Sequence, residues 1–236
     1  MNPLWTDLSQ RAAVALDQRQ ADLLSRYLDL LLEANHRMNL TRIADRAAAE
    51  VHHVADSLTL LPHLPAGPHR LADVGSGGGA PGIPLAIARP DARVVLIEAT
   101  KKKAAFLSET AEKLALANVT VCPRRAEDAG REPATRETFD VAVARAVGAL
   151  VWLAEWCLPL VKKGGKVLAM KGAKLADELP AAAKAIRLLG GGPPLVHKVQ
   201  DLPGAEHHVI VEISKIAKTP PKYPRPATEA ESKPLP

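Results

Sequence analysis

Apolar positions in the first 65 residues recur at three- and four-residue intervals, the spacing that forms one face of an α-helix. The clearest stripe comprises Leu23, Leu24, Tyr27, Leu28, Leu31 and Leu32. Asn39-Leu40-Thr41 interrupts the pattern, and a second helical run follows from about residue 45 to residue 61. We therefore predict a helical extension over residues 1–65.

From Arg70 onward the pattern changes, and short apolar runs alternate with helical segments. The pattern predicts strands at residues 71–74, 94–97, 119–122, 139–144 and 166–170, and helices at residues 81–88, 102–116, 150–160 and 175–189. Such alternation is typical of an α/β fold with a mostly parallel sheet and helices on both faces. Two β-like segments at residues 195–199 and 207–213 then predict an antiparallel hairpin at one edge of the sheet.

Proline distinguishes the last 18 residues, which include six prolines. Proline lacks an N–H and interrupts helices and strands, so we predict no regular structure in this segment. We expect residues 66–216 to form the α/β domain and residues 217–236 to form an extended, basic arm on its surface.

The segment 71–85, LADVGSGGGAPGIPL, joins the first predicted strand to the following helix. Gly75, Gly77 and Gly79 can adopt positive φ, and they have no Cβ that would keep a ligand away from the main chain. The free amides at the helix start would face that ligand. A glycine-rich turn without a ligand is the simplest alternative, and Gly77-x-Gly79-x-x-Gly82 also matches the dinucleotide fingerprint.

Acidic residues near this turn distinguish between the ligands. Asp73 ends the first strand, where a carboxylate suits a cationic amino-acid group and repels a pyrophosphate. Glu98 follows the second strand, where α/β nucleotide folds place a carboxylate against ribose hydroxyls. After the third strand, we expect Ala126, Glu127 and Asp128 to frame an adenine edge. S-adenosylmethionine fits all three points, and a nicotinamide dinucleotide fits two.

Composition adds a few constraints. A chain of 236 residues with 47% hydrophobic residues can bury a full core. Cys122 and Cys157 lie in apolar surroundings, which predicts buried free thiols. The paired histidines are sequence neighbours that point in different directions, so we expect no metal site. We find no secretory signal and no apolar run typical of a membrane span, and we expect a cytoplasmic protein.

The net charge of +5 and the isoelectric point near 9.3 favour an anionic partner. Basic residues gather at residues 101–103, 124–125, 162–166 and 215–225. A solvated helix face explains the first cluster about as well as RNA binding does.

Several motifs recur together in this chain and resemble those of one family. They are Met38-Asn39-Leu40-Thr41, His53-x-x-Asp56-Ser57-Leu58, DVGSGGGAPGIPLAI, Lys102-Lys103-x-x-Phe106-Leu107, Arg125-Ala126-Glu127, Ala144-Arg145-Ala146, Leu168-Ala169-Met170-Lys171-Gly172 and Lys222-Tyr223-Pro224-Arg225. With this set the chain resembles, over nearly its whole length, the bacterial ribosomal small-subunit methyltransferase G family, also called glucose-inhibited division protein B. Ala80 departs from the family, which usually has a bulky apolar residue there, and we expect Ala80 to contact the cofactor.

This resemblance implies a class I S-adenosylmethionine-dependent methyltransferase with a Rossmann-like fold. It implies an enzyme that methylates N7 of a guanine in 16S rRNA near the decoding region. We accordingly expect 16S rRNA or the small ribosomal subunit as the partner, no contact with a membrane, and a monomer.

The residues themselves agree with a guanine N7 acceptor. Carbon-5 methylation of a pyrimidine requires a cysteine nucleophile, and both cysteines lie in predicted core elements. Methylation of an exocyclic amine usually accompanies an Asn/Asp-Pro-Pro-aromatic sequence where this chain has Val143-Ala144-Arg145-Ala146. Guanine N7 is already a free lone pair, so positioning and desolvation suffice.

Arg145 and Lys171 are the candidate catalytic residues. An arginine within an apolar strand is costly to bury unpaired, and an ion pair with Glu127 or Asp73 is one alternative. The functional alternative places its guanidinium beside the methionine carboxylate of the cofactor or the target guanine. Lys171 ends the fifth strand at the same rim, where a helix-capping or solvated lysine is nearly as good an interpretation.

Five further residues are predicted to bind the RNA. The resemblance places Asn39 and His53 at the mouth of the pocket, whereas the sequence alone favours a helix cap and an interior histidine. Lys222 and Arg225 suit phosphate contacts, and Tyr223 is the best placed ring for base stacking.

Three other functions remain open from the sequence. The chain is also compatible with a methyltransferase acting on another RNA or a small molecule, and with a non-catalytic RNA-binding assembly factor. An NAD-linked oxidoreductase fits least well, because no Tyr-x-x-x-Lys follows at the expected place.

Overall fold

A seven-stranded sheet runs through the molecule in the order β3-β2-β1-β4-β5-β7-β6. The computed structural model describes residues 2–200 and 202–236. The strands are β1 (Arg70–Val74), β2 (Arg93–Ile97), β3 (Val119–Cys122), β4 (Phe139–Arg145), β5 (Val161–Lys171), β6 (Leu195–Lys198) and β7 (Val209–Ser214). Neighbouring strands from β1 to β5 are parallel, whereas β7 is antiparallel to β5 and β6. The predicted α/β sheet with an antiparallel edge hairpin is confirmed.

The N-terminal extension is helical, as predicted. It comprises α1 (Pro3–Arg11), α2 (Gln18–Met38), α3 (Arg46–Ala49), a π-helical turn (Glu50–Ala55), α4 (Asp56–Leu58) and a 3-10 turn (Leu61–His63). A reciprocal cap starts α2, since Asp17 accepts the Gln20 N–H and the Gln20 side chain accepts the Asp17 N–H. The predicted second helical run is therefore divided into two short α-helices, α3 and α4, with the π-helical turn between them.

The remaining helices cover both faces of the sheet. They are α5 (Gly82–Ala88), α6 (Lys101–Lys113), α7 (Ala126–Ala129), α8 (Leu150–Cys157), α9 (Leu175–Leu188) and α10 (Ala227–Ser232). One hydrophobic core joins α2, α5 and α6 to alternate residues of the strands, such as Leu71 and Val141. A second core joins α8 and α9 to the intervening residues, such as Ala72 and Ala142. Because strand side chains alternate in direction, the two cores occupy opposite faces.

The C-terminal segment differs from its prediction. Residues 227–232 form the short helix α10, so the expectation of no regular structure was wrong there. The run between Pro226 and Pro234 contains no proline, and the fixed φ of Pro226 suits a helix start. Tyr223 and Leu235 are buried in the second core, which places this segment against the domain.

Two further sequence expectations concern the cysteines and the membrane. Both cysteines are free thiols, as predicted, and Cys157 is buried, whereas Cys122 is only half-buried. Among the described residues, no helix has the length and apolarity needed to cross a membrane.

The order of the strands determines where a ligand can bind. Successive crossovers lead from β1 to β2 and β3 on one side, and then to β4 and β5 on the other. Open α/β sheets bind ligands where the direction of strand order changes, at the carboxyl ends of the strands. The glycine segment follows β1 and therefore lies at this point.

Candidate active site

A cleft of about 1310 Å³ opens at the carboxyl ends of the central strands. Its volume exceeds the roughly 300–1,000 Å³ typical of a pocket for one small ligand, so a cofactor and a target base have room together. Eight predicted site residues line it: Asn39, His53, Gly75, Gly77, Ala80, Glu98, Arg145 and Lys171. Seven predicted site residues are not among those that line it: Asp73, Gly79, Ala126, Glu127, Lys222, Tyr223 and Arg225.

The glycine turn forms the floor of the cleft. Gly75 has φ +71° and Gly77 has φ +53°, both in the left-handed region that side chains rarely adopt. A Cβ at Gly75 would lie 2.8 Å from a methyl carbon of Val147. The N–H groups of Gly75 and Ser76 donate to the carbonyl of Ile97, at 2.9 and 3.2 Å, and tie the turn to β2. The turn is thus a fixed main-chain cradle.

Gly79 packs the turn against the following helix, and its contact with the cofactor stays a prediction. Its φ is +102°, and an added Cβ would lie 2.6 Å from the Ile83 side chain. Gly79 is therefore required for the close approach of α5 to the turn, and it does not face the cleft.

Asp73 lies beneath the turn and is 1% exposed. Its Oδ2 accepts the Gly82 N–H at 3.1 Å, whereas Oδ1 has no hydrogen-bond partner. Burial raises the pKa of Asp73 to about 7. A buried carboxylate oxygen without a partner favours a cationic group bound above the turn.

Glu98 follows β2 and holds the turn from the other side. Its Oε2 accepts the Gly77 N–H at 2.9 Å, and its Oε1 accepts the Thr100 N–H at 2.7 Å. An ionised carboxylate has about four acceptor sites, so each oxygen retains one for a ribose hydroxyl. Glu98 therefore orders the cradle and can bind a ligand at the same time.

The third predicted contact lies in α7, which follows β3. Glu127 is 7% exposed, and its Oε1 is 3.9 Å from the guanidinium of Arg125. Because neither Ala126 nor Glu127 lines the cleft, their contact with adenine stays a prediction.

Arg145 ends β4 and is anchored by the N-terminal helices. Its Nη1 donates to Asp56 Oδ2 at 3.1 Å and to the main-chain carbonyl of His52. The predicted alternative of an ion pair with Glu127 or Asp73 was therefore wrong in its partner, since Asp56 supplies the charge. Three of the five N–H donors of arginine are used, which leaves two for a ligand in the cleft.

His53 is held between Arg145 and Thr41. Arg145 Nη2 donates to His53 Nδ1 at 3.1 Å, and a guanidinium is always a donor, so His53 carries its proton on Nε2. That Nε2–H donates to Thr41 Oγ1 at 3.0 Å. Burial, assisted by the charge of Arg145, lowers the pKa of His53 to about 4. His53 is thus a neutral residue of fixed tautomer in the cleft wall.

Sequence reasoning missed two members of this cluster. Asp56 is 1% exposed and accepts a second hydrogen bond from His208 Nδ1, at 3.0 Å. This contact with Asp56 raises the pKa of His208. The spacing His53-x-x-Asp56 was a usable signal for Asp56, because neighbouring turns of a helix bring such residues together. His208 lies 152 residues away in the chain, and no local pattern indicates it.

Lys171 and Asn39 lie on the rim of the cleft. The Lys171 ammonium donates to Glu178 Oε2 at 2.7 Å and to the Gly148 carbonyl at 2.8 Å. The predicted solvated alternative is wrong, since its side chain is 10% exposed. Asn39 adopts φ +50° and ends α2, so the helix-cap interpretation and the position at the mouth both hold.

Positive charge along this rim comes from further residues. Besides the predicted residues, three cationic side chains line the cleft: Arg42, Lys103 and Lys174. Of these, only Lys103 belongs to a basic cluster in the sequence. The rim therefore presents a positive field to a polyanion.

Two of the three predicted RNA-binding residues in the C-terminal segment, Tyr223 and Arg225, pack against the domain. The Arg225 guanidinium lies 2.7–2.8 Å from the Glu155 carboxylate, which is 1% exposed. The Tyr223 ring is 6% exposed, which does not agree with a surface for base stacking. Lys222 is exposed, with its ammonium 5.2 Å above the Tyr223 ring. Thr219 N–H donates to Glu137, just before β4, so the segment starts near the amino ends of the central strands, opposite the cleft.

Comparison with known proteins places these observations in a family. Residues 20–209 match the family model described as rRNA small subunit methyltransferase G. A protein named ribosomal RNA small subunit methyltransferase G from Roseiflexus sp. is 47% identical over 210 residues, which is 89% of each chain. A protein of the same name from Lactobacillus delbrueckii subsp. bulgaricus is 40% identical over 240 residues, covering the whole of both chains.

Solved structures support the fold. A SAM-dependent methyltransferase from Aquifex aeolicus superposes with a TM-score of 0.57 at 15% identity, covering 75% of this chain and 97% of its own. A SAM-dependent O-methyltransferase from Thermotoga maritima gives a TM-score of 0.54 at 15% identity, covering 80% of this chain and 72% of its own. At such identities the similarity is one of fold.

Proposed function

We propose, for a chain that belongs to the rRNA small subunit methyltransferase G family, that it transfers a methyl group from S-adenosylmethionine to N7 of a guanine in 16S rRNA. The observation that carries the proposal is the composition of the cleft. A glycine cradle with Glu98 lies on one side, and an anchored arginine with a cationic rim lies on the other.

The residues present fit S-adenosylmethionine. In the cradle, an added Cβ at Gly75 would collide with Val147. Glu98 has acceptors free for ribose hydroxyls, and Asp73 has an unpartnered oxygen beneath the turn. When bound, S-adenosylmethionine supplies an electrophilic methyl group on a sulfonium. We propose that Gly75, Gly77, Ala80 and Glu98 hold it, with Asp73 acting through the turn.

Transfer to guanine N7 places limited demands on the protein. The acceptor is a lone pair with no proton to remove, so the cleft must orient the base and exclude water. That lone pair must remain free to face the methyl group, so Arg145 cannot donate to N7. We therefore propose that the two free N–H groups of Arg145 bind O6 of the guanine or the carboxylate of the cofactor, while Asp56 and His53 fix the guanidinium.

The RNA side of the proposal uses the rim. Arg42, Lys103 and Lys174 are placed to contact phosphates around the extruded guanine, and Asn39 lies at the mouth. We propose 16S rRNA or the small ribosomal subunit as the partner, a monomer as the active form, and the cytoplasm as its location. Residues 1–65 form one wall of the cleft and residues 66–216 form the methyltransferase domain.

The test measures binding and product together. Calorimetry with S-adenosylmethionine and with NAD identifies the cofactor, and reaction with free 16S rRNA and with small subunits, followed by mapping of methylated bases, identifies the acceptor. We expect binding of the methyl donor and a single N7-methylguanine. Binding of NAD alone, or methylation of another base, would contradict the proposal. Binding of the donor without any methylation would favour an assembly factor.

The cradle can be tested by a matched pair of variants. Gly75→Val should abolish binding of S-adenosylmethionine, because the side chain is strained at φ +71° and meets Val147. Gly67→Val is the control, since Gly67 has φ +72° but no atom within 4 Å of the added Cβ and does not line the cleft. Equal loss of binding in both variants would mean that backbone strain, and not the cradle, is responsible.

A further inference from the structure

A second group of polar side chains lies on the edge hairpin, outside the cleft. Glu212 is on β7 and His197 is on β6, and their register places both side chains on one face of the hairpin. His63, in the 3-10 turn that ends the N-terminal extension, packs over that face with its ring centroid 4.4 Å from that of His197. Three residues that are far apart in the sequence thus converge.

Their ligand atoms are close enough to share one ion. His197 Nε2 lies 3.3 Å from Glu212 Oε2, and His63 Nδ1 lies 3.8 Å from the same oxygen. One ligand atom from each of the three residues lies within 4.8 Å of the others. Ligands at about 2.0–2.1 Å from a tetrahedral zinc are roughly 3.3–3.4 Å apart, so small side-chain shifts close the site.

Hydrogen bonding does not account for this arrangement. His197 Nε2 is buried and has no hydrogen-bond partner, although the carboxylate is 3.3 Å away. The 3.8 Å separation at His63 is too long for a hydrogen bond.

A neighbouring lysine orients the carboxylate. Lys166 Nζ donates to Glu212 Oε1 at 3.1 Å, so Oε2 is the oxygen that faces the two histidines. Such a contact to the second oxygen of a ligating carboxylate is usual around metal ions. The side chains of His63, His197 and Glu212 are between 14% and 35% exposed, which leaves a path for an ion and a water.

We propose that His63, His197 and Glu212 bind a zinc ion, with a water molecule as the fourth ligand. Two imidazole nitrogens and one carboxylate oxygen form a ligand set that suits zinc, and they disfavour magnesium or calcium, which prefer oxygen ligands. The ion links the end of the N-terminal extension to the edge hairpin. No ligand residue lines the methyltransferase cleft, so the proposed ion lies apart from that site.

The test titrates zinc chloride into protein that has been treated with a chelator and dialysed. We expect one site per chain by calorimetry and a higher Tm with zinc than without it. His197→Ala and Glu212→Gln should each lower the affinity by at least about tenfold and remove the Tm shift. The control variant, His36→Ala combined with His207→Ala, removes two exposed histidines and should bind as the unchanged protein does.

Three results would contradict a zinc site at these residues. Absence of binding, or equal affinity in all variants, would overturn the proposal and leave a simple cluster of polar residues. Should a ligand variant fail to fold, His63→Asn replaces it, with circular dichroism in the absence of zinc as the check. Cobalt substitution gives a second readout, since a visible spectrum typical of six oxygen ligands would also overturn the site.

Discussion

At the scale of single residues, the cluster around Arg145 contains two histidines in opposite electrostatic settings. His53 is buried next to the guanidinium, and its pKa lies well below the ordinary value. His208 is partly exposed and donates to Asp56, which raises its pKa. Protonation is therefore disfavoured at His53 and favoured at His208.

These shifts predict two opposite dependences of stability on pH. The pKa of His53 is about 4 in the folded protein, against an ordinary value of 6.5. The stability that neutral His53 contributes is therefore fully present above pH 6.5 and is lost as the pH falls towards 4. The loss is at most about 1.4 kcal/mol per pH unit. The pKa of His208 is raised, so its contribution is present below pH 6.5 and is lost as the pH rises through its folded value. Urea unfolding of His53→Gln and His208→Gln beside the unchanged protein, from pH 4 to 8, measures both.

The difference between the unchanged protein and each variant isolates the histidine concerned. We expect that difference to increase with pH for His53 and to decrease with pH for His208. Parallel curves for the two variants would show that the cluster does not control protonation at these positions.

At the scale of elements, the C-terminal segment behaves as a strap across the second core. Arg136 donates to the carbonyls of Thr219 and Tyr223, and Arg131 donates to that of Pro224. Buried Lys215 donates to the Leu158 carbonyl at 2.6 Å at the start of the strap. The arginines thus satisfy main-chain carbonyls that a proline-rich segment cannot pair within itself.

The strap predicts different effects for its two cationic residues. Arg225→Ala leaves the carboxylate of buried Glu155 without its partner, so we expect a loss of about 3–5 kcal/mol in stability and a Tm lower by about 10 °C. Lys222→Ala removes an exposed charge and should leave the Tm unchanged. Thermal melts of both variants measure this.

RNA binding supplies the second readout for the strap. If Lys222 contacts a phosphate, its removal should lower the slope of log affinity against log salt by about 1, whereas Arg225→Ala should leave that slope unchanged. Equal melting temperatures for the two variants, with a flatter slope for Arg225→Ala, would return Arg225 to the RNA surface.

At the scale of the whole molecule, the N-terminal helices and the sheet share one core. Tyr27 and Leu28 of α2 are fully buried together with Leu71, Val141 and Leu168 of three strands. The Tyr27 hydroxyl also donates to the Gly78 carbonyl at 3.0 Å and so supports the glycine turn directly. Separation of the extension would expose this apolar face of the sheet.

This shared core predicts that the chain unfolds as one unit. Of the three tryptophans, Trp5 reports on the extension, and Trp152 and Trp156 report on the domain. In a Trp152→Phe, Trp156→Phe variant, urea unfolding followed by Trp5 fluorescence and by circular dichroism should have the same midpoint. An earlier transition of Trp5 would instead indicate that residues 1–65 form an independently unfolding part.

The sequence by itself determined most of the strands and helices, and it placed the glycine turn and Glu98 at the carboxyl ends of the strands. The strands, the glycine turn and Glu98 follow from local periodicity and from spacing along consecutive β-α units, because parallel strands bring their carboxyl ends to one edge. The motifs at residues 38–41 and 53–58 were sufficient for the resemblance to the family. These features depend on residues that are close together in the chain.

Tertiary structure alone decided which charges meet. Asp56 instead of Glu127 or Asp73 neutralises Arg145, His208 joins from 152 positions away, and Glu155 binds Arg225 that the sequence had assigned to RNA. An ion pair depends on distance and burial in space, and the periodicity of a sequence carries no information on either between remote segments. The local pattern therefore specifies the cradle, and only the folded chain specifies the partners around it.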